Sequence, residues 1–298
     1  MKFNKKNSFF FAGCERNIKL FQFRNGYMQF ICEVKHSNLE VKYLNCTNYQ
    51  NQLISGCDLM IKIKPLFGVN NHKILMKIIP NSNQFSCFAI SDKNNLLVAG
   101  LQEHIYFWEV NCEWYFKQDL QVNDEQDWIY NLSFNESETK LISCTGGGKI
   151  TVIELESNQE KLWKIIQIIY LDNFAVQATF FGENSFVIHL YLLKIMLIYE
   201  LNQVDGQFIK SNQFLMESEG VQSQTFNSSY IKQRQLFIKQ DKFQLILYLV
   251  NKNQELQIYK KLLFDTTQIW GTISDDGLWL IVWENASQQL KIISLFAF

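Results

Sequence analysis

Ala12-Gly13-Cys14-Glu15-Arg16-Asn17-Ile18-Lys19-Leu20-Phe21-Gln22-Phe23 lies over Ala99-Gly100-Leu101-Gln102-Glu103-His104-Ile105-Tyr106-Phe107-Trp108-Glu109-Val110 without a gap. Both stretches read as strand, tight turn, strand, because apolar residues alternate with polar ones on either side of two or three turn-forming positions. The pattern returns at Ser55-Gly56-Cys57-Asp58 leading into Ile61 and Ile63, and at Ser143-Cys144 leading into Ile150 and Val152. Further copies end at Leu197 to Leu201, Leu256 to Tyr259 and Leu290 to Ile293.

Taking the position of Trp108 as the marker gives Phe21, Lys64, Trp108, Ile153, Tyr199, Tyr259 and Ile293, at steps of 43, 44, 45, 46, 60 and 34. A period near 45 is that of a four-stranded propeller blade. The fourth unit displays it in full: Trp128 to Phe134, a polar turn, Lys140 to Cys144, the Gly146-Gly147-Gly148 turn, Lys149 to Leu155, then Leu162 to Tyr170. Each unit exposes an apolar face it cannot cover alone, so stability requires stacking unit on unit. The uneven steps 60 and 34 place an insertion or long loop in the Gln- and Ser-rich residues 203–235, and leave little room for an outer strand in Lys260 to Gln268.

These residues resemble the WD40-repeat β-propellers over essentially the whole chain. The resemblance rests on the strand-end Ser/Ala-Gly of the first three units, the Ser91-Asp92 and Ser274-Asp275 turns, and Trp108-Glu109 in place of the family's Trp-Asp. Val34-Lys35-His36 looks like the family's Gly-His turn with Lys35 replacing Gly, while Lys64, Ile153 and Ile293 depart from Trp. The resemblance implies an all-β fold, a single seven-bladed β-propeller over residues 1–298 with four-stranded antiparallel blades, and a His-Asp-Ser-Trp network complete in no blade. The chain ends just after a third strand, Leu290 to Leu295, so the seventh blade lacks a clear outer strand and the closure of the last blade is open.

Composition narrows the function classes. The chain of 298 residues is 47% hydrophobic, with 25 Phe, 12 Tyr and 7 Trp, which provides for a large core. With 28 basic and 29 acidic residues the net charge is -1, and Lys/Arg runs stop at two, so direct nucleic-acid binding is not expected. Only 2 Pro and 13 Gly occur against 27 Asn and 26 Gln, so turns are expected to use Asn, Asp and Ser. The joint excess of Asn, Lys, Ile and Phe is what an AT-rich eukaryotic genome gives.

The apolar stretch Phe9 to Ala12 is too short for a signal peptide, and Phe186 to Leu201 is interrupted by His189 and Lys194, so neither secretion nor a membrane span is expected. Seven Cys without a Cys-x-x-Cys pair read as reduced thiols in the cytoplasm or nucleus.

No residue pattern calls for catalysis, a metal or a cofactor. His36, His72, His104 and His189 are isolated and read as structural. Gly146-Gly147-Gly148 joins two strands and lacks the Lys-Ser/Thr of a phosphate loop. The acidic Asp124-Glu125-Gln126-Asp127 and Glu217-Ser218-Glu219 read as solvated loops. The reading is therefore a non-catalytic scaffold that docks other proteins of a multi-subunit assembly. The alternative is a propeller that binds a small molecule or phosphoinositide, or acts as a hydrolase, through its central channel or a blade edge.

The family resemblance implies partner binding near the start of each inner strand, a ring containing Glu40, Gln84, Trp128, Ala175 and Thr267, with Tyr43 and Trp270 three residues further in. Trp is the residue type most often found as an interface anchor, which singles out Trp128 and Trp270.

Overall fold

Strand follows strand through the described residues, and in every sheet each strand pairs antiparallel with the next in sequence. A computed structural model describes residues 1–47, 51–66, 74–80, 84–122, 127–190, 193, 195–216, 226–251 and 255–296. The first sheet is β1 (Lys2–Phe3), β2 (Phe9–Cys14), β3 (Asn17–Arg24) and β4 (Tyr27–Lys35). The second is β5 (Tyr43–Thr47), β6 (Gln52–Cys57), β7 (Met60–Pro65) and β8 (Met76–Ile78). The third is β9 (Cys87–Ser91), β10 (Leu96–Leu101), β11 (His104–Val110) and β12 (Trp114–Gln121). The fourth is β13 (Ile129–Phe134), β14 (Lys140–Thr145), β15 (Lys149–Leu155) and β16 (Trp163–Tyr170), and the fifth is β17 (Ala175–Phe180), β18 (Ser185–Leu190), β19 (Ile195–Leu201) and β20 (Phe208–Leu215). The sixth is β21 (Ser229–Ile231), β22 (Leu236–Asp241), β23 (Gln244–Val250) and β24 (Leu256–Leu263). The seventh holds three strands among the described residues, β25 (Ile269–Ile273), β26 (Trp279–Glu284) and β27 (Gln289–Ser294).

These meanders are the blades of a seven-bladed all-β propeller. The chain forms two compact units, one of Met1–Phe85 with Gln268–Phe298 and one of Ser86–Thr267. Among the described residues no helix is long and apolar enough to cross a membrane.

The sixth blade corrects the register expected from sequence. Leu256 to Tyr259 belongs to the outer strand β24, and the marker position falls on Tyr248, which pairs with Phe237 as Trp108 pairs with Leu97. The steps from Tyr199 to Tyr248 and on to Ile293 are then 49 and 45, and the period is regular. Leu245-Ile246-Leu247-Tyr248 and Leu256-Gln257-Ile258-Tyr259 look alike in sequence, but only the first is apolar throughout, as a strand buried on both faces must be. Ile258 on β24 is 51% exposed. Residues 203–235 contain β20 and β21, and 217–225, with Glu217-Ser218-Glu219, lie outside the described residues, as do His72 and Asp124-Glu125-Gln126.

Within each unit the core is a series of apolar slabs between successive blades. Phe107, Ile129, Leu141 and Trp163 join the third and fourth. Ile142, Phe180, Phe186 and Phe208 join the fourth and fifth. In the other unit, Phe3, Phe10, Phe23 and Ile281 join the first blade to the seventh, with Phe23 edge-on to Trp279 at 5.8 Å. The recurrent strand-end glycine has a steric reason here. A Cβ on Gly100 would stand 3.0 Å from both Cys87 Sγ and Ile129 Cβ, and one on Gly13 would stand 3.0 Å from Val41 Cγ1, so the next blade's incoming chain packs against bare backbone. In the fourth blade Cys144 takes the glycine's place, and its Sγ donates to the Ala175 carbonyl at 3.3 Å.

Polar clasps reinforce the slabs. Glu138 Oε2 accepts from Ser91 Oγ at 2.6 Å and from the Lys93 amide at 2.8 Å, tying the third blade's first turn to the fourth's. Glu183 does the same one blade on, accepting from Asn135 Nδ2 at 2.7 Å and Ser137 Oγ at 2.6 Å. On the outer strands, the Gln118 amide bonds both main-chain groups of Trp163 at 2.7 and 2.9 Å, and Gln167 grips Phe208 in the same way at 2.8 and 2.7 Å. The scarcity of glycine is met only partly as expected. Of eleven non-glycine residues with positive φ among the described residues, four are Asn and none is Asp or Ser; Glu15, Gln102 and Lys242 fill the first position of two-residue hairpins.

Candidate functional site

The strongest surface feature is aromatic and lies at one end of the fourth blade. Trp128 immediately precedes β13 and Tyr130 is its second residue; Tyr170 closes β16, and Phe174 stands one residue ahead of β17. Chain direction brings the start of β13, the β14–β15 turn and the end of β16 to the same end of the sheet. All four rings face solvent, at 38% exposure for Trp128, 55% for Tyr130, 76% for Tyr170 and 62% for Phe174.

The Gly146-Gly147-Gly148 hairpin is the floor that holds this end together. A Cβ on Gly146 would lie 2.6 Å from Tyr130 Cε2, so the ring rests on bare backbone. Asp127 Oδ2 accepts the Gly147 amide at 2.6 Å, and a side chain there would strike that carboxylate. Gly148 has φ +78° and faces the Asn173 carbonyl, while the Gly148 carbonyl accepts from the Leu171 amide at 2.9 Å. The glycines are required by close approach on both sides, in addition to the turn itself. Lys149 Nζ stands 6.0 Å from the centre of the Tyr170 ring, a cation over the face of an exposed aromatic.

The other residues singled out by register sit at the starts of first strands. Glu40 and Gln84 are exposed, Tyr43 is half-buried at the head of β5, and Trp270 on β25 is 38% exposed. Strand β1 packs against both β5 and β25, so Tyr43 and Trp270 flank the first blade within their unit. Thr267 is half-buried, with its carbonyl accepting from Gln240 Nε2 at 2.6 Å. Ala175 is wholly buried and belongs to the core. Sequence reasoning reached Trp128 and missed Tyr130, Tyr170 and Phe174. Their signal was present as an aromatic two residues after Trp128, on the same face of the strand, and a Tyr-Phe pair bracketing the following loop.

Titratable groups inside the blades are structural in setting. His36, 2% exposed, shares a 3.1 Å hydrogen bond between Nδ1 and Ser55 Oγ, while its carbonyl accepts from Lys62 Nζ. Burial, with the Lys62 and Lys64 charges adding to it, pushes the His36 imidazole down to about 4. A Ser beside a His is the geometry of an activated nucleophile, but here Ser55 is buried, at 1% exposure. In the fourth blade the Ser143 and Thr151 hydroxyls are buried without a partner, so the network is partial there as well. Lys239, 1% exposed on β22, directs Nζ at Met216 Sδ at 2.7 Å, and burial pushes it down to about 7 against the pull of Asp241. Among the described residues no group of three or more His, Cys, Asp or Glu is placed to hold a metal ion.

With this geometry in hand, the fold can be set beside known structures. A chain in a crystal structure of a mitotic checkpoint complex superposes with a TM-score of 0.75 at 13% identity, covering 99% of this chain and 88% of that one. A putative 6-phosphogluconolactonase from Bacteroides fragilis superposes with a TM-score of 0.70 at 12% identity, covering 89% of this chain and 84% of that one. At such identities the likeness is one of fold, the β-propeller. No family model and no curated protein matches the sequence.

Proposed function

We propose that this protein is a divergent WD40-type propeller and a non-catalytic docking platform, a subunit of a larger intracellular assembly. The observation that carries the reading is the exposed set Trp128, Tyr130, Tyr170 and Phe174 around the end of the fourth blade that carries the three-glycine hairpin. Exposed aromatic clusters on an ordered frame are costly to leave in water, and aromatic anchors dominate protein interfaces. The frame is already fixed by blade clasps, so little ordering entropy opposes docking. One of the solved structures it resembles is a chain from a mitotic checkpoint complex, which agrees with this role. Partners are other proteins, held by apolar contact; the near-zero net charge gives no general attraction for nucleic acid.

The test is recovery of tagged protein from its own cells at physiological salt. Trp128→Ala and Phe174→Ala are expected to leave the melting temperature within about 2 °C of the parent while reducing co-purifying partners by about tenfold or more. Unchanged recovery with both substitutions present would remove this face from the interface.

A further inference from the structure

The second blade carries positive charge that no acid balances. In the strand register Ser55 of β6 stands opposite Lys62 of β7, and Lys62 stands opposite Lys77 of β8. Leu53 and Lys64 form the next pair on the same face, two residues along. That face turns toward the first blade, since Leu53 packs there against Phe11 and Leu20. Three lysines thus share one wall, in a row that runs from buried Ser55 out to exposed Lys77. Like charges directly opposite across strands repel. Lys64 also holds the marker position of its blade, which the other six fill with Phe21, Trp108, Ile153, Tyr199, Tyr248 and Ile293, and it is 7% exposed.

The facing wall of the first blade presents Cys32 and Val34, which are apolar. Glu33 between them lies opposite Lys19, which pairs in turn with Ala12 on the face packed toward the seventh blade. Asp58 is already paired with Lys42 at 2.8 Å. Residues 48–50, 67–73 and 81–83, outside the described residues, contain no Asp or Glu. Burial, followed by the Lys64 and Lys77 charges, holds Lys62 below its ordinary value, and burial does the same to Lys64; no carboxylate offsets either. A second observation falls at the same place. His36 Nδ1 is engaged by Ser55 Oγ, while His36 Nε2 is buried with no partner among the described residues. With the Ser55 hydroxyl donating to Nδ1, the ring proton sits on Nε2 and meets no acceptor, a costly state for a buried donor. Lys62 Nζ donates to the carbonyl of the same histidine, which ties the lysine row to it.

We propose that this edge of the second blade binds a phosphate monoester group through Lys62, Lys64 and Lys77, with His36 Nε2 completing the donor set. Such a group carries about -1.5 to -2 charge at pH 7 and three acceptor oxygens, so it can answer several ammonium groups at once, where a carboxylate brings a single charge. Lysine grips it as a point charge and needs no fixed fork. The group approaches from the exposed Lys77, and Ile74, Leu75 and Ile79, exposed on either side of β8, form an apolar rim. The same chemistry belongs to a soluble phosphorylated molecule and to a lipid headgroup. This inference is independent of the aromatic face on the fourth blade, and either can fail alone.

The test is calorimetric titration of the purified 298-residue protein with glycerol 3-phosphate at fixed pH and ionic strength. Binding is expected at one site, weakened about tenfold or more by Lys64→Met and by Lys77→Gln, and unchanged by Lys210→Gln, an exposed lysine of the fifth blade. Lys64→Met removes a buried charge at a position that is apolar in every other blade, so the free variant is expected to melt above the parent while losing the ligand. No binding by the parent, equal weakening by Lys210→Gln, binding that survives both Lys64→Met and Lys77→Gln, or a Lys64→Met protein less stable than the parent would each overturn the proposal.

The source of the phosphate is read by sedimentation with neutral phosphatidylcholine vesicles that do or do not carry a phosphatidylinositol monophosphate. Pelleting that requires the phosphorylated lipid and is lost in Lys77→Gln supports the site with a headgroup as its ligand. Binding of glycerol 3-phosphate without pelleting supports the site with a soluble ligand. Neither response overturns it.

Discussion

Replacing Lys239 with Met is expected to make the protein more stable, and by an amount that depends on pH in a defined direction. Lys239 is 1% exposed and its ammonium meets a thioether, so burial lowers its pKa from the ordinary 10.5 to about 7. In the unfolded chain the side chain keeps its ordinary pKa, so between pH 7 and 10.5 the unfolded state binds more protons than the folded one. Stability due to this group is therefore complete above 10.5 and is lost as pH falls toward 7. The drop is worth about 4 kcal/mol at pH 7 and under about 1 kcal/mol at pH 10, at 1.36 kcal/mol per tenfold. Methionine matches the length of the stem, keeps contact with Met216 and carries no charge. The assay is urea unfolding of parent and Lys239→Met at pH 7, 8.5 and 10, comparing midpoints. The raised thiols of Cys87 and Cys144 and the raised tyrosines Tyr199 and Tyr230 titrate in both proteins and cancel in the difference. A Met variant no more stable than the parent at pH 7, or an advantage that does not shrink by pH 10, would refute the argument.

His36 should weaken the protein in acid. Its folded pKa of about 4 lies below the ordinary 6.5, so stability falls as pH drops from 6.5 toward 4, by up to about 3 kcal/mol. His36→Gln, which retains a hydrogen bond to Ser55, should flatten the midpoint-against-pH curve in that window; an unchanged slope would count against it. Gly100→Ala forces a methyl to within 3.0 Å of Ile129 and Cys87 and is expected to cost about 1–3 kcal/mol, seen as a lower melting temperature, with Gly206→Ala, which meets no neighbour within 4 Å but has φ +70°, separating backbone strain from crowding.

Much of the fold was legible because blades repeat a physical requirement. A glycine recurs where the next blade's chain must touch backbone, as at Gly13 and Gly100, and an alternating apolar strand begins four residues later. The sixth blade was misread where that logic had two solutions: β23 and β24 both carry an apolar stretch that reaches a Tyr, and what separates them is that only Leu245 to Tyr248 is apolar throughout, as burial on both faces requires. Turn chemistry was legible in part, since Asn takes the left-handed positions as expected, whereas Glu138 and Gln235 do so because tertiary contacts on one or both sides outweigh the local cost.

The candidate site was far less legible, for a reason that follows from the architecture. A site of converging catalytic groups writes itself into residue types with narrow uses, whereas a docking face is written in aromatics that the core uses too. Phe107 and Phe174 are the same residue in sequence; one is wholly buried against Trp163 and the other is 62% exposed. What separates them is their place in the repeat. Phe107 lies inside a third strand covered by β12, and Phe174 stands in the linker from an outer strand to the next blade. Once the period is regular, every aromatic can be sorted by its position in the blade before any side chain is seen. Trp128, Tyr130, Tyr170 and Phe174, at the start of a first strand or the end of an outer strand, are left by the packing in solvent and available to a partner.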